Sequence, residues 1–162
     1  ERWTEAAEAD RGAVAIRREL NQSVLATEPL AGLAWVCLAR GELELARLHA
    51  KEILHHLTSA PDPALAGTLS PFQVYLTCYR VLQAIQDPCG PEILCRAHAL
   101  LRERAARIAD ENLRRSFVEN VAAHRELVQA FENVDGSPVD REQQEPCAED
   151  PHGVHRHSAV RF

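Results

Sequence analysis

LAWVCLARGELELARLHAKEILHHL, residues 33–57, is the stretch on which the fold turns. Apolar residues recur every three to four positions on both sides of Gly41, the signature of amphipathic helices. Leu33, Ala34, Cys37 and Leu38 form the stripe before the glycine. Leu45, Ala46, His49, Ala50, Ile53, Leu54 and Leu57 form the stripe after it. Gly41 stands where a helix commonly closes in a left-handed cap. The spacing therefore predicts two helices, 24–40 and 42–57, joined by one tight turn. Ala34, Cys37, Ala46 and Ala50 fall where the two axes would approach, and small side chains permit that approach. None of these residue types carries reaction chemistry in this pattern.

Working outward, Ala6, Ala7, Ala13, Ile16, Leu20 and Trp3 lie at helical spacing, predicting a helix over 2–20 with Gly12 inside it. Pro29 lies near the front of the second helix, where a missing N–H leaves nothing unpaired. Residues 58–69, TSAPDPALAGTL, predict a loop. Ser70-Pro71-Phe72-Gln73 has the form of a helix start: a capping hydroxyl, a first-turn proline and a glutamine three residues on. Phe72, Tyr75, Leu76, Tyr79 and Leu82 are the expected inward stripe of that helix, which DPCGP, residues 87–91, should end. Ile93, Leu94, Ala97, Leu101, Ala105 and Ile108 predict the next helix over 92–109. Asp110 is the expected cap of one more, running to about Glu132, with Leu113, Phe117, Val121, His124, Val128 and Phe131 inward.

From Asn133 the periodicity stops. DGSPVDREQQEPCAEDPHGVHRHSAVRF has almost nothing apolar to bury, so a disordered tail is expected. The expected organisation is a helical domain over 1–133 and a polar tail over 134–162. No stretch alternates as a half-buried strand does, so the fold class is all-α, with five to six helices.

Composition narrows the function. The 162 residues suffice for one cored domain, and the net charge of −6 argues against nucleic acid as a main partner. No apolar run approaches the roughly 20 residues of a bilayer span, and the N-terminus lacks the apolar core of a signal peptide. A cytoplasmic chain with no membrane partner is expected. There is no methionine, even at position 1, so the sequence is expected to be a piece of a longer chain. The five cysteines have neither the even count nor the spacing of a disulfide framework. Cys37 and Cys78 fall on apolar faces, where a thiol acts as a small hydrophobe.

Several residues have a functional interpretation beside a structural one. Arg114 and Arg115, with Ser116, Phe117, Glu119, Asn120 and His124, form the most distinctive helix. Arginines there would suit carboxylates of a partner. The plainer account is a terminal helix with Phe117 in the core, Arg115 paired with Glu119, and His124 partly buried and hydrogen-bonded. His55 and His56 point to different faces, and no acid or thiol joins His49 and His56 at helical spacing. Cys147, His152, His155 and His157 match no closed zinc spacing. No paired carboxylates, nucleophile–base set or cofactor loop can be placed, so neither an enzyme nor a cofactor or metal site is expected.

The Leu33–Ala34–Cys37–Gly41–Ala46 series resembles the tetratricopeptide pattern of large, small, inter-helix, turn and small positions. A second set, Leu82, Gly90, Cys95 and Ala99, matches more loosely. Ala46 and Cys95 lie 49 residues apart, against about 34 in a standard repeat. Across Leu30–Phe131 the stretches LAGLAWVCLARGELELARLHAKEIL, SPFQVYLTCYRVLQAIQDP and LLRERAARIADENLRRSFVENVAAHREL are similar to the tetratricopeptide-like C-terminal region of large bacterial STAND-type signal-transduction ATPases, some linked to cyclase domains. The resemblance implies antiparallel helical hairpins stacked as an α-solenoid. It implies a scaffold or sensor that contacts a protein partner or an upstream ATPase or output domain of its own chain. No phosphate-binding GxxxxGK[ST] loop is present.

In such a solenoid the first helix of each hairpin lines the groove. The expected lining is Trp35, Val36 and Arg40 from one, and Gln73, Thr77 and Arg80 from the other, all off the core stripes. The alternative is a small-molecule-sensing helical domain, in which Tyr75, Tyr79 and His124 would face an enclosed ligand.

Overall fold

The computed structural model describes residues 2–59 and 67–135. The predicted tail beyond residue 135, and most of the predicted 58–69 loop, lie outside these residues, while 134 and 135, expected in the tail, belong to the last helix. Among the described residues the chain is all-helical, with seven α-helices. They are α1 (Arg2–Glu19), α2 (Thr27–Ala39), α3 (Leu43–Ser59), α4 (Pro71–Ala84), α5 (Gly90–Ala106), α6 (Glu111–Glu119) and α7 (Ala122–Asp135). A 3-10 turn, Ser23–Ala26, leads into α2. The expected single start near residue 24 is thus two pieces. Thr27 marks the join: it is buried, and its hydroxyl donates to the Val24 carbonyl at 2.6 Å.

The turn at Gly41 forms as its sequence requires. Gly41 has φ +74°, and Glu42 N–H returns to the Cys37 carbonyl at 2.9 Å, closing α2. Around this turn α2 and α3 pack on each other, and both pack on α4. The seam is made of small side chains. Ala34, Ala46, Ala50 and Val81 are fully buried together, with Cys37 beside them and Leu38 at the edge. Leu45, expected inward, stands exposed because Ala46 takes the seam position.

Helix α4 occupies the centre. It packs against α2, α3, α5 and α7, so Phe72, Val74, Tyr75, Leu76, Cys78 and Leu82 are buried, as are Thr77 and Val81. A helix covered on nearly all sides needs apolar residues nearly all round. Its N-terminus does not form the expected side-chain cap. Ser70 accepts no cap bond through its hydroxyl, and its N–H instead donates to Glu28 Oε1 at 2.6 Å. At the other end, Gln86 takes φ +56° and Asp87 N–H reaches the Leu82 carbonyl. Asp87 Oδ1 then accepts from Cys89 N–H at 2.9 Å, turning the chain into α5. In α5 the small seam residue is Ala97, buried beside Ile93, Leu94 and Leu101. Cys95 and Ala99, matched to that role by sequence spacing, are exposed.

Two further expectations are corrected. In α1 the inward stripe is Ala7 and Val14, with Asp10 half-buried between them, while Trp3, Ile16 and Leu20 are exposed. The α1–α2 contact is too close for large residues: a Cβ at Gly32 would run into the Asp10 carboxylate. Burial pushes the Asp10 carboxyl above its usual range. The helix expected to run from Asp110 to Glu132 is broken into α6 and α7. Asp110 caps it as expected, accepting from Leu113 N–H at 2.9 Å. Past Glu119 the chain bends, because His124 Nδ1–H donates to the Phe117 carbonyl at 2.6 Å. A continuing helix would offer that carbonyl to the residue 121 N–H. Arg125 Nη1 takes the Glu119 carbonyl at 3.1 Å. The bend leaves Leu113 and Val121 exposed and makes Leu127 the fully buried residue of α7.

The packing sets opposite signs for two glycines. Gly41→Ala places a Cβ in the left-handed region and should destabilise the domain by about 1 kcal/mol. Gly12, inside α1 with open space around it, should gain up to about 1 kcal/mol on replacement by Ala. Urea denaturation of the two variants checks this, and shifts of the same sign contradict it.

Candidate functional site

Among the described residues, two clefts lie on helices that share α4. The first is a half-open cleft of about 340 Å³ between α2 and α4. Glu28, Ala31, Gly32 and Trp35 line it from α2, one face repeating over two helical turns. Gln73, Val74 and Thr77 line it from α4, with Ser70 at its end. The volume falls within the roughly 300–1,000 Å³ of ordinary binding pockets. The second cleft, about 540 Å³, lies between α4 and α7, with Arg80, Tyr79 and Gln83 on one side and Glu126, Ala130 and Asn133 on the other.

Arg80 joins the two. Its guanidinium carbon sits 5.0 Å from the Trp35 ring centroid, a cation–π contact. The same guanidinium pairs with the Glu126 carboxylate. One side chain from α4 thus ties α2 to α7 across the two clefts. Trp35 is 37% exposed, so its ring is both partner to Arg80 and wall of the first cleft.

The sequence-predicted groove residues separate into two groups. Trp35, Gln73, Thr77 and Arg80 come together along α2 and α4. Thr77 is buried rather than off the core stripe, and forms the floor of the first cleft. Val36 is buried in the core cluster and lines neither cleft. Arg40 is exposed at the end of α2, its Nε 2.9 Å from Glu42, away from both clefts. Arg114 and Arg115 are exposed on α6 and line neither cleft. Arg115 lies 3.6 Å from Glu111, in place of the expected Glu119.

Glu28, Ser70 and Glu126 were not anticipated. Glu28 was findable: it precedes Trp35 by seven residues, two turns along the same face of α2. Glu126 was not, because its placement depends on the bend before α7.

The groups expected around an enclosed ligand are dispersed. Tyr75 is core, and only Tyr79 of the three lines a cleft. His124 is 8% exposed and sits in an aromatic nest, with Phe72 and Phe117 ring centroids 4.6 and 4.5 Å away. Arg104 lies over the other partner of that nest, 5.3 Å from the Phe72 centroid.

Cys37, Cys78 and Cys95 are free thiols. Burial pushes the Cys78 thiol up to about 12, which keeps it protonated and unreactive at neutral pH. Burial, then the neighbouring Glu42 carboxylate, raises Cys37 as well. Burial lowers His49 from the usual histidine range. Among the described residues no group of three or more His, Cys, Asp or Glu is placed to hold a metal ion. No helix among them is long and apolar enough to cross a membrane. No protein-family model, curated protein or solved structure matches the chain.

The Arg80–Glu126 pair is one-third exposed on each side, with side-chain exposures of 32% and 39%. Solvent screening therefore limits its worth to about 0.5–1 kcal/mol. A double-mutant cycle with Arg80→Met and Glu126→Gln should return a coupling of that size, shrinking in about 1 M salt, where the Debye length falls to about 3 Å. A coupling near zero at low salt contradicts the tie between α4 and α7.

Proposed function

We propose that this chain is a tetratricopeptide-like α-solenoid module that docks a protein segment on the face shared by α2, α4 and α7. The observation that carries the proposal is the pair of clefts joined by Trp35, Arg80 and Glu126. The order of packing supports the solenoid arrangement. Helices α2 and α3 pack together, as do α4 and α5, while α2 touches α4 and α4 touches α7. Stacked antiparallel hairpins produce this order, with the first helix of each unit lining one face. On that reading α2–α3 and α4–α5 are the two hairpins, α7 takes a first-helix place beside α4, and α6 is a short insertion.

The chemistry of the face favours docking over catalysis. Its walls combine an aromatic ring, amide and hydroxyl groups, two carboxylates and one engaged guanidinium, an assortment suited to peptide recognition. The chain would act as a scaffold or sensor module of a larger signalling protein in the bacterial cytoplasm. Its docked segment would come from a protein partner or from an ATPase or output domain of the same chain. The small-molecule alternative has weaker support, since Tyr75, Tyr79 and His124 do not surround a common space.

Site-specific photo-cross-linking tests the docking reading. A photoreactive residue at Gln73, in the first cleft, should give discrete protein adducts in the producing cell. The same residue at Glu103, exposed on α5, should not. Trp35→Ala combined with Arg80→Ala should remove the Gln73 adducts while leaving the helical circular dichroism intact. Adducts that survive the double substitution, or appear equally from Glu103, contradict the assignment.

A further inference from the structure

The character of the docked segment is legible in the first cleft. Among the described residues its walls hold a single ionisable group, Glu28. That carboxylate is half-buried on α2, and its Oε1 accepts one bond, from Ser70 N–H at 2.6 Å. Among the described residues no lysine, arginine or histidine lines the cleft to neutralise it. The guanidinium on the Trp35 ring, that of Arg80, is already engaged by Glu126. Counting both clefts, two carboxylates face one arginine. The rest of the first cleft is apolar or hydrogen-bonding: Ala31 and Val74 on its sides, Thr77 at its floor, Gln73 at its rim.

A cation entering the cleft meets the Glu28 carboxylate, two helical turns along α2 from the Trp35 ring that Arg80 already covers. Arg80 shows that this ring accepts a guanidinium, and rings of this kind favour cations by electrostatic attraction to the π face. A carboxylate entering instead would meet Glu28, and Arg80 only in competition with Glu126.

We infer that the first cleft receives an arginine or lysine side chain from a basic segment of a partner protein, its apolar stem against Ala31 and Val74 and its charged head at Glu28. This rests on the docking reading and specifies its ligand. The charge complementarity that selects the occupant is that of a half-buried, otherwise unneutralised carboxylate. Long basic side chains suit such a site because their stems pack on apolar walls while their heads pair.

The test uses Trp35 as its own reporter, in a Trp3→Phe background that removes the other tryptophan. Capped nonapeptide pools, randomised except for a central Arg, Lys, citrulline, norleucine or Glu, are titrated against the whole chain while Trp35 emission is followed. The Arg or Lys pool should bind about tenfold tighter than the citrulline and norleucine pools. Glu28→Gln, which keeps the oxygen that Ser70 uses, should abolish that preference, and added salt should weaken it. Tightest binding by the Glu pool, equal binding of Arg and citrulline, or a preference unaffected by Glu28→Gln overturns the inference. So does failure of the Arg and Lys pools to bind. In each of these cases the docking reading stands or falls separately, on the Gln73 adducts.

Discussion

Close approach of three helices at small side chains is the constraint on which the rest of this structure depends. Ala34 on α2, Ala46 and Ala50 on α3 and Val81 on α4 leave no accessible surface between them. Any larger residue there would have to displace a helix axis, since packed interiors absorb added volume only at a cost of about 1–3 kcal/mol. With α2 and α3 held this close, α4 can contact both. Its burial then follows, and so does the position of Arg80, one residue before Val81. A seam residue that fixes α4 in place thus stands next to the residue that faces the clefts.

The face opposite the seam inherits its geometry. Trp35 follows Ala34, as Arg80 precedes Val81, so each of these cleft residues adjoins a buried one in sequence. The ring and guanidinium are presented by rigid helices whose own rotation is fixed by alanine contacts. Such placement favours a preorganised surface, where less ordering entropy is lost on binding. The ion pair to Glu126 extends the arrangement to α7, whose packing on α4 and α5 is anchored by fully buried Leu127.

Much of this was legible in local sequence. Gly41 and the Asp110 cap depend on residues within one turn of each other, and both are found in the structure. Burial of Tyr75 and Tyr79 followed from their spacing with Phe72. What escaped depends on contacts between distant residues. The rotation of α1 was misjudged because periodicity gives weight to Trp3, Ile16 and Leu20. The real contact with α2 runs through Ala7 and Val14, where Gly32 admits the Asp10 carboxylate. The break between α6 and α7 has no glycine or proline to announce it; a histidine returning to a carbonyl seven residues earlier makes it. Of the candidate site, Trp35, Gln73 and Arg80 could be picked as positions off the core stripes, since they share helices with clear stripes. Thr77 could not be placed as a buried floor residue from spacing alone, because that depends on how α2 lies across α4.

The central claim is that α2, α4 and α7 present one continuous surface tied through Arg80. Ring currents offer the most direct measurement. In the proton NMR spectrum, Arg80 side-chain resonances should be shifted upfield by the Trp35 indole, with cross-relaxation between the two side chains, and the shift should vanish in Trp35→Leu. Arg80 resonances at unperturbed positions, unchanged by that substitution, would contradict the account.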